Sequence, residues 1–342
     1  MEKFILKPDI KFPRVNYIGN KEKLAEWIVD NFPLDSGSVL DLFSGGSSVS
    51  FECKLRGYKV ISNDVLYASY VVAKSIIENN NYTLDYKHID EAEKLSLNFD
   101  TVQKYSWLEN TLYFPDEIKE LTRLIEYSSK MSGYEKYLFQ SLIRRAMIRK
   151  LPYSRMNVPW KSIIKLRDED YSYEKYGRKR AYHNESFSSH IKKNIENYNA
   201  SVFDNGKANL AIQKDAIEAV EEIDFVDVIY LDPPYPSTMN NYDQFYGAFD
   251  RIFDRKIEHL DLTNKNNFIE SLESIVVKSK EKTNYIILSI NSNSVPGISE
   301  IFQMLSKHGK VSIKEKKHNY QVSGKVNKNN NNENLLIVDV KK

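Results

Sequence analysis

Ser38-Val-Leu-Asp-Leu-Phe-Ser-Gly-Gly-Ser47 is the stretch that decides the fold. Its first five residues read as a buried strand, and residues 44–47 as a small-residue turn. A helix is predicted from there to about Arg56, stopped by Gly57. Tyr58 to Ser62 reads as a second strand running into Asn63-Asp64, with a helix expected over 65–79. A βαβα opening of this kind predicts a parallel, doubly wound sheet with ligands at the carboxyl edge of its strands. Upstream, Leu24, Trp27, Ile28 and Phe32 recur at helical spacing, which predicts an amphipathic helix over 21–32.

Downstream the alternation breaks. Residues from about 80 to 205 give helical signals and polar loops, with Pro115 and Pro152 as breakers. Strand signals resume at 210–213 and 226–231 and recur at 286–290, 311–313 and 335–340, with helices expected over 265–277 and 298–307. The Asn-rich stretch 327–334 reads as the turn between two late antiparallel strands. The predicted architecture is an α/β core of residues 1–80 and 206–342, interrupted by a mainly helical insertion of residues 81–205. At 342 residues the chain is long enough for both.

Composition narrows the function classes. The chain is 41% apolar and 28% charged, has no apolar run long enough for a membrane span, and opens without a signal-peptide pattern. Its single Cys53 excludes an internal disulfide, and no Cys/His cluster has zinc spacing. A cytoplasmic protein without metal or membrane partner is the expectation. Charge is uneven: residues 134–200 hold fifteen Lys/Arg against seven Asp/Glu, an excess of +8 in a chain whose net charge is +2. Tyrosines interleave with those cations, a pattern that suits phosphates and stacked bases, although a solvated helical surface reads the same way.

Two constellations carry chemistry. Small residues between strand and helix let a ligand approach free backbone amides at 44–47, and glycine there also serves plain turn sterics. The turn is not the GxGxxG of a dinucleotide site, which disfavours a nucleotide-dependent oxidoreductase. Asp64, at the end of the next strand, can accept both ribose hydroxyls of an adenosine-type ligand or can cap the following helix. The sharper signal is Asp232-Pro233-Pro234-Tyr235, directly after the apolar run Val226–Leu231. Consecutive prolines stiffen the turn and offer carbonyls without N–H donors. The corner thus presents a carboxylate, a carbonyl and a flat ring. An exocyclic amine on an aromatic base needs that set, because its lone pair is delocalised into the ring. Hydrogen bonds from its two N–H groups to Asp232 and the Pro233 carbonyl favour a pyramidal nitrogen, and Tyr235 stacks on the base.

The order of these motifs resembles the α-class, Dam-like (D12) adenine-N6 DNA methyltransferases. Asn16-Tyr-Ile-Gly-Asn-Lys21 looks like that family's N-terminal donor-site motif; the turn after Asp41, Asp64, a long insertion and Asp232–Tyr235 follow in the family's order. Residues 209–215 resemble its strand whose acid contacts the donor's adenine. Leu288-Ser-Ile-Asn-Ser, Tyr320 and Asn334-Leu-Leu-Ile look like its later sheet motifs. Residues 144–160 and 166–184 also look like adenine methyltransferases of FokI-type restriction–modification systems. The resemblance implies a Rossmann-like methyltransferase sheet, mostly parallel with a late antiparallel strand, and an inserted DNA-recognition domain. It implies S-adenosylmethionine as methyl donor and double-stranded DNA as partner, with a cognate restriction endonuclease acting on the same site. By the same resemblance Tyr17, Gly19, Lys21, Asp41, Phe43, Gly45, Ser47, Asp64 and Asp215 bind the donor, and Asp232, Pro233, Pro234 and Tyr235 are catalytic. Ser47 stands where the family usually has glycine and fits if its φ is negative. The cations Arg144, Arg145, Arg149, Arg155, Arg178, Lys179 and Arg180 are the expected DNA contacts, with Tyr153, Arg155 and Asn157 as a base-reading cluster. Related corners also serve cytosine N4 and RNA adenine, and a shell without activity that binds nucleic acid is a further alternative.

Overall fold

A computed structural model describes residues 10–177, 181–236, 241–318 and 331–341. The chain forms two compact units, one from residues 1–20, 66–204 and 243–256, the other from residues 21–65, 205–242 and 257–342. The helical unit therefore takes in residues 1–20, 66–80 and 243–256, beyond the 81–205 expected of an insertion.

The second unit holds one sheet of seven strands: β1 (Ser38–Asp41), β2 (Lys59–Asn63), β3 (Leu210–Ile212), β4 (Val226–Leu231), β5 (Thr283–Asn291), β6 (Lys310–Lys317) and β7 (Asn332–Asp339). Their order is β3-β2-β1-β4-β5-β7-β6. The first five pair in parallel, and β7 runs antiparallel to both β5 and β6. This is the expected α/β sheet, mostly parallel with a late antiparallel strand. β1 and β4 are mostly buried, and the apolar residues Val39, Leu40, Val228, Ile229 and Leu231 predominate in them, because a central parallel strand is covered on both faces. Val39, Leu40, Val228 and Ile229 are fully buried, each contributing about 1.5–3 kcal/mol. Helices Ala216–Glu222, Phe268–Ser279 and Ile298–Ser306 cover one face, setting Val220, Leu272, Ile275, Ile301 and Leu305 against Ile229, Ile286, Leu288 and Leu336. At the edge, β6 is exposed and carries Lys310, Lys314, Lys316 and Lys317, charge that blunts strand addition.

Strand order reverses at β1 and β4: β2 and β3 lie on one side, β5, β7 and β6 on the other. The carboxyl ends at such a reversal bound the crevice in which open α/β sheets bind ligands. Here those ends carry the 42–47 turn and the Asp232 corner.

Several bounds differ from expectation. The first helix is only Ala25–Asp30, because residues 21–24 form turns instead. β5 extends beyond 286–290, and β7 begins at Asn332, so part of the Asn-rich stretch is strand. Tyr320 and residues 327–330 lie outside the described residues.

In the helical unit, the helix expected over 65–79 is an α-helix, Tyr67–Ala73, continued by a π turn, Lys74–Glu78. Both oxygens of buried Asp250 accept its first free amides, from Tyr67 at 2.8 Å and Ala68 at 2.9 Å. Pro115 begins a helix, Pro115–Lys130, at the first position, where its missing N–H costs nothing. Helix Gly133–Arg149 is buried continuously from Leu138 to Ile148, so it is covered on all sides. Nearby, Glu117 joins two interior cations, with Lys150 Nζ and Arg167 Nη2 each 2.6 Å from its Oε1.

Candidate active site

The turn after β1 is built by backbone bonds to the neighbouring strands. Leu42 donates its N–H to the Tyr230 carbonyl at 3.0 Å, and Ser44 donates to that of Asn63 at 2.9 Å. Within the turn, Ser47 N–H reaches the Ser44 carbonyl at 2.6 Å. Gly45 takes φ +50°, a left-handed conformation that glycine adopts without penalty. Ser47 also lies there, at φ +63° and ψ +23°, so the negative φ on which an unstrained fit of serine depends is not met. The tight return of the chain into helix Ser48–Leu55 imposes this conformation, and a serine tolerates it only under strain.

Polar groups around this turn face inward. Asp64 Oδ2 accepts the Gly45 N–H at 2.8 Å, so the carboxylate at the end of β2 is directed at the turn. Capping of the helix at Tyr67 falls to Asp250. Asp41 is buried and accepts the Ser50 hydroxyl on Oδ2 at 2.6 Å. Burial pushes its carboxyl up to about 7 against the Ser50 hydrogen bond, and the charges of Asp232 and Asp64 push the same way. Among the described residues, Asp41 Oδ1 and the hydroxyls of Ser44 and Ser47 are buried without a hydrogen-bond partner. Three such atoms at one strand end are unusual, since buried polar groups are nearly always paired. Phe43 is half-buried and packs on the same apolar cluster as Tyr235. Asp215 caps helix Ala216–Glu222: Oδ1 accepts from Ile217 N–H at 2.8 Å and Oδ2 from Leu260 N–H at 2.9 Å. Any contact it makes with a ligand therefore comes in addition to two structural bonds.

The corner after β4 holds the strongest electrostatic feature of this unit. Lys21 Nζ lies 2.9 Å from Asp232 Oδ1 and 3.4 Å from Glu333 Oε1. The side chains of Lys21, Asp232 and Glu333 are 9%, 19% and 0% exposed, so all three charges sit largely out of water. Burial pushes the Asp232 carboxyl up to about 6, Lys21 pulls it down and Glu333 pushes it further up. The Lys21 ammonium beside it favours the ionised, accepting form of Asp232 against that burial. Pro233 is buried, while Pro234 and Tyr235 are partly exposed. The resemblance put Lys21 with the donor-binding residues; its ammonium also reaches the corner after β4. Glu333 and its partner Ser289, which donates to Oε1, were missed from sequence. An isolated acid inside an otherwise amide-rich and apolar strand was the only signal.

In the helical unit, Tyr17 stacks on Tyr246 with ring centroids 4.7 Å apart, and the Tyr246 hydroxyl accepts the Ile18 N–H at 2.7 Å. Gly19 takes φ +80° in the turn that follows. Arg144 and Arg145 correct the expectation of DNA contacts, because both are buried. Arg144 donates to the Val15 carbonyl at 2.9 Å and stacks on Tyr17 and Tyr246; Arg145 donates to the Arg14 carbonyl at 2.6 Å. Their guanidinium groups fix the backbone on which Tyr17 sits. Arg149 lies over the Tyr182 ring at 4.2 Å. Tyr153 is 60% exposed at φ +60°, Arg155 stacks on Tyr153 and Phe245, and Asn157 is exposed beside Gln244. Arg178, Lys179 and Arg180 lie outside the described residues. No helix of the described residues is long and apolar enough to cross a membrane.

Comparison with known proteins bears on this geometry. The model of the D12 class N6 adenine-specific DNA methyltransferases matches residues 17–321. The chain is 43% identical to the Type II methyltransferase M2.HphI of Haemophilus parahaemolyticus, over 96% of this chain and 98% of that protein. It is 27% identical to the modification methylase StsI of Streptococcus sanguinis and 25% identical to the Type II methyltransferase M.FokI of Planomicrobium okeanokoites. Those matches take in 94% and 86% of this chain but about half of the relatives, 51% and 47%. With an acid–Pro–Pro–Tyr corner beside the turn at the sheet's reversal, and a family match across nearly its whole length, the chain belongs to the D12 class N6 adenine-specific DNA methyltransferases.

Proposed function

We propose that this chain is the modification enzyme of a Type II restriction–modification system, methylating adenine N6 at a specific DNA site with S-adenosylmethionine as donor. The observation that carries the reading is the Lys21–Asp232 ion pair, 2.9 Å long, at the carboxyl end of β4 beside the β1 turn. The unpaired Ser44 and Ser47 hydroxyls and Asp41 Oδ1 fit a donor with an amino-acid end and a ribose, both rich in hydrogen-bonding groups. Asp64 and Phe43 are the other groups of this unit that would hold it, with Asp215 toward its adenine. When bound, the donor supplies a methyl group on a sulfonium.

The chain's own residues supply position and electrostatics. Asp232, kept ionised by Lys21, accepts one N–H of the target amine, and the Pro233 carbonyl accepts the other. Tyr235 stacks on the base and holds its nitrogen in line. As the N–C bond forms, the methyl's bond to sulfur would break and leave a neutral thioether; the nitrogen gains positive charge, which the Asp232 carboxylate stabilises until the surplus proton passes to solvent water. Adenine N6 is shielded in a duplex, so the base must leave the stack. We assign target recognition to the helical unit, on the basic excess of residues 134–200 and the exposed Tyr153 beside Arg155 and Asn157. The experiment is long-read detection of modified bases in a host expressing the protein. N6-methyladenine at one recurring sequence supports the assignment; an unmodified genome, with protein present and folded, rejects it.

A further inference from the structure

Glu333 is unusual for an acid. Its side chain is fully buried, yet Oε1 accepts the Ser289 hydroxyl and lies 3.4 Å from the Lys21 ammonium. It stands near the start of β7, paired with Asn291 of β5 and Lys316 of β6, which carries its carboxylate to the carboxyl end of β5. The Lys21 ammonium is therefore shared by two carboxylates, at 2.9 Å and 3.4 Å. A buried lysine with one carboxylate partner would direct its whole charge at that partner. Such a carboxylate is a weaker acceptor, because a full ion pair in a dry site withdraws the charge that a substrate N–H would meet.

We propose that Glu333 is a positioning residue for methyl transfer, sharing the Lys21 ammonium with Asp232 so that Asp232 is fixed and ionised yet still a strong acceptor. The inference rests on the reading that Asp232 receives the target amine. Ser289 holds Glu333 from behind, which fixes the ammonium between two anchored oxygens. Removing the Glu333 charge gives Asp232 a larger share of the Lys21 charge and makes that carboxylate more acidic; removing the Lys21 charge does the reverse.

The test is the pH dependence of single-turnover methylation for the wild type and for Glu333→Gln, Glu333→Asp and Lys21→Met. Activity needs ionised Asp232, so the wild-type rate should fall on the acid side near pH 6. A neighbouring charge moves a carboxyl by roughly 1–3 units. Glu333→Gln should therefore move the acid limb down by about one unit and lower the plateau rate by about tenfold or more. Glu333→Asp, with a shorter reach to Lys21, should shift the limb the same way by less and restore part of the rate. Lys21→Met should move the limb up. Asp41, Tyr230 and His318 also lie in this field and are unchanged in all three variants. An acid limb that stays in place in both Glu333 variants, with only thermal stability lowered, overturns the proposal while leaving wild-type methylation intact. Absence of transfer by the wild type would instead reject the underlying reading. Should Glu333→Gln not fold, the position of the acid limb in Glu333→Asp decides between the same two outcomes.

Discussion

Replacing Ser47 by alanine and by glycine separates two costs that the β1 turn bears. Ser47 is fully buried in a left-handed conformation, φ +63°, and its hydroxyl has no partner among the described residues. An unpaired buried hydroxyl costs about 1–3 kcal/mol. Ser47→Ala removes that cost and keeps the Cβ, so the protein without donor should gain about 1 kcal/mol. Ser47→Gly also removes left-handed strain of about 1–2 kcal/mol. Against this, glycine's freedom in the unfolded chain costs roughly 0.5–1 kcal/mol. Glycine should therefore exceed alanine by about 0.5 kcal/mol, from the difference of the figures for strain and chain freedom. In a unit of this size 1 kcal/mol raises the midpoint by roughly 2–4 °C. Scanning calorimetry without donor should give the order wild type, then alanine, then glycine. On the proposed function, the donor uses both the strained turn and its orphaned hydroxyl. Calorimetric titration should thus show both variants binding S-adenosylmethionine about five- to tenfold more weakly, the loss of one hydrogen bond. Variants as stable as the wild type or less, with unchanged donor affinity, would refute the reasoning.

Three further perturbations follow from the structure. Glu117→Ala leaves Lys150 and Arg167 buried without their carboxylate and should destabilise the helical unit by about 3–5 kcal/mol, read by urea unfolding. Burial raises the Glu117 carboxyl but Arg167 and Lys150 outweigh it, so its net shift is downward. Its contribution is therefore present above the ordinary carboxyl range and lost as pH falls through the lowered value, a loss the variant should not show. Gly309→Ala would set a Cβ 2.3 Å from the Asp339 carbonyl oxygen and should loosen the pairing of β6 with β7, visible as faster amide exchange in residues 310–317. Arg144→Met should leave the salt dependence of DNA binding unchanged, since its guanidinium is interior, while lowering the thermal midpoint of the helical unit through loss of its bond to the Val15 carbonyl.

The sheet was legible because the central strands are buried on both faces and show up as short, mainly apolar segments ending in small or acidic residues at the turns. The Asp232–Tyr235 corner was legible because prolines constrain the backbone locally. The cations of helix Gly133–Arg149 were misread for a physical reason: local charge density says nothing about which guanidinium is buried. Arg144 and Arg145 look like surface charge in the sequence, yet they lie in a helix covered on every side and pair with carbonyls about 130 residues away. The union of Lys21, Asp232 and Glu333 was illegible for the same reason. The adjacency of β4, β5 and β7 in one sheet sets Asp232 near Glu333, and the segment before the first helix brings Lys21 to both. Ser47 was legible as a departure, but the sign of its φ depends on the turn's tertiary closure.

The most direct test of the central claim is mass spectrometry of nucleosides from unmodified duplex DNA incubated with S-adenosylmethionine and either the wild type or Asp232→Ala. The wild type should yield N6-methyladenine, and the variant none above background while still binding the donor. N4-methylcytosine as the product, or undiminished N6-methyladenine from Asp232→Ala, would contradict the account.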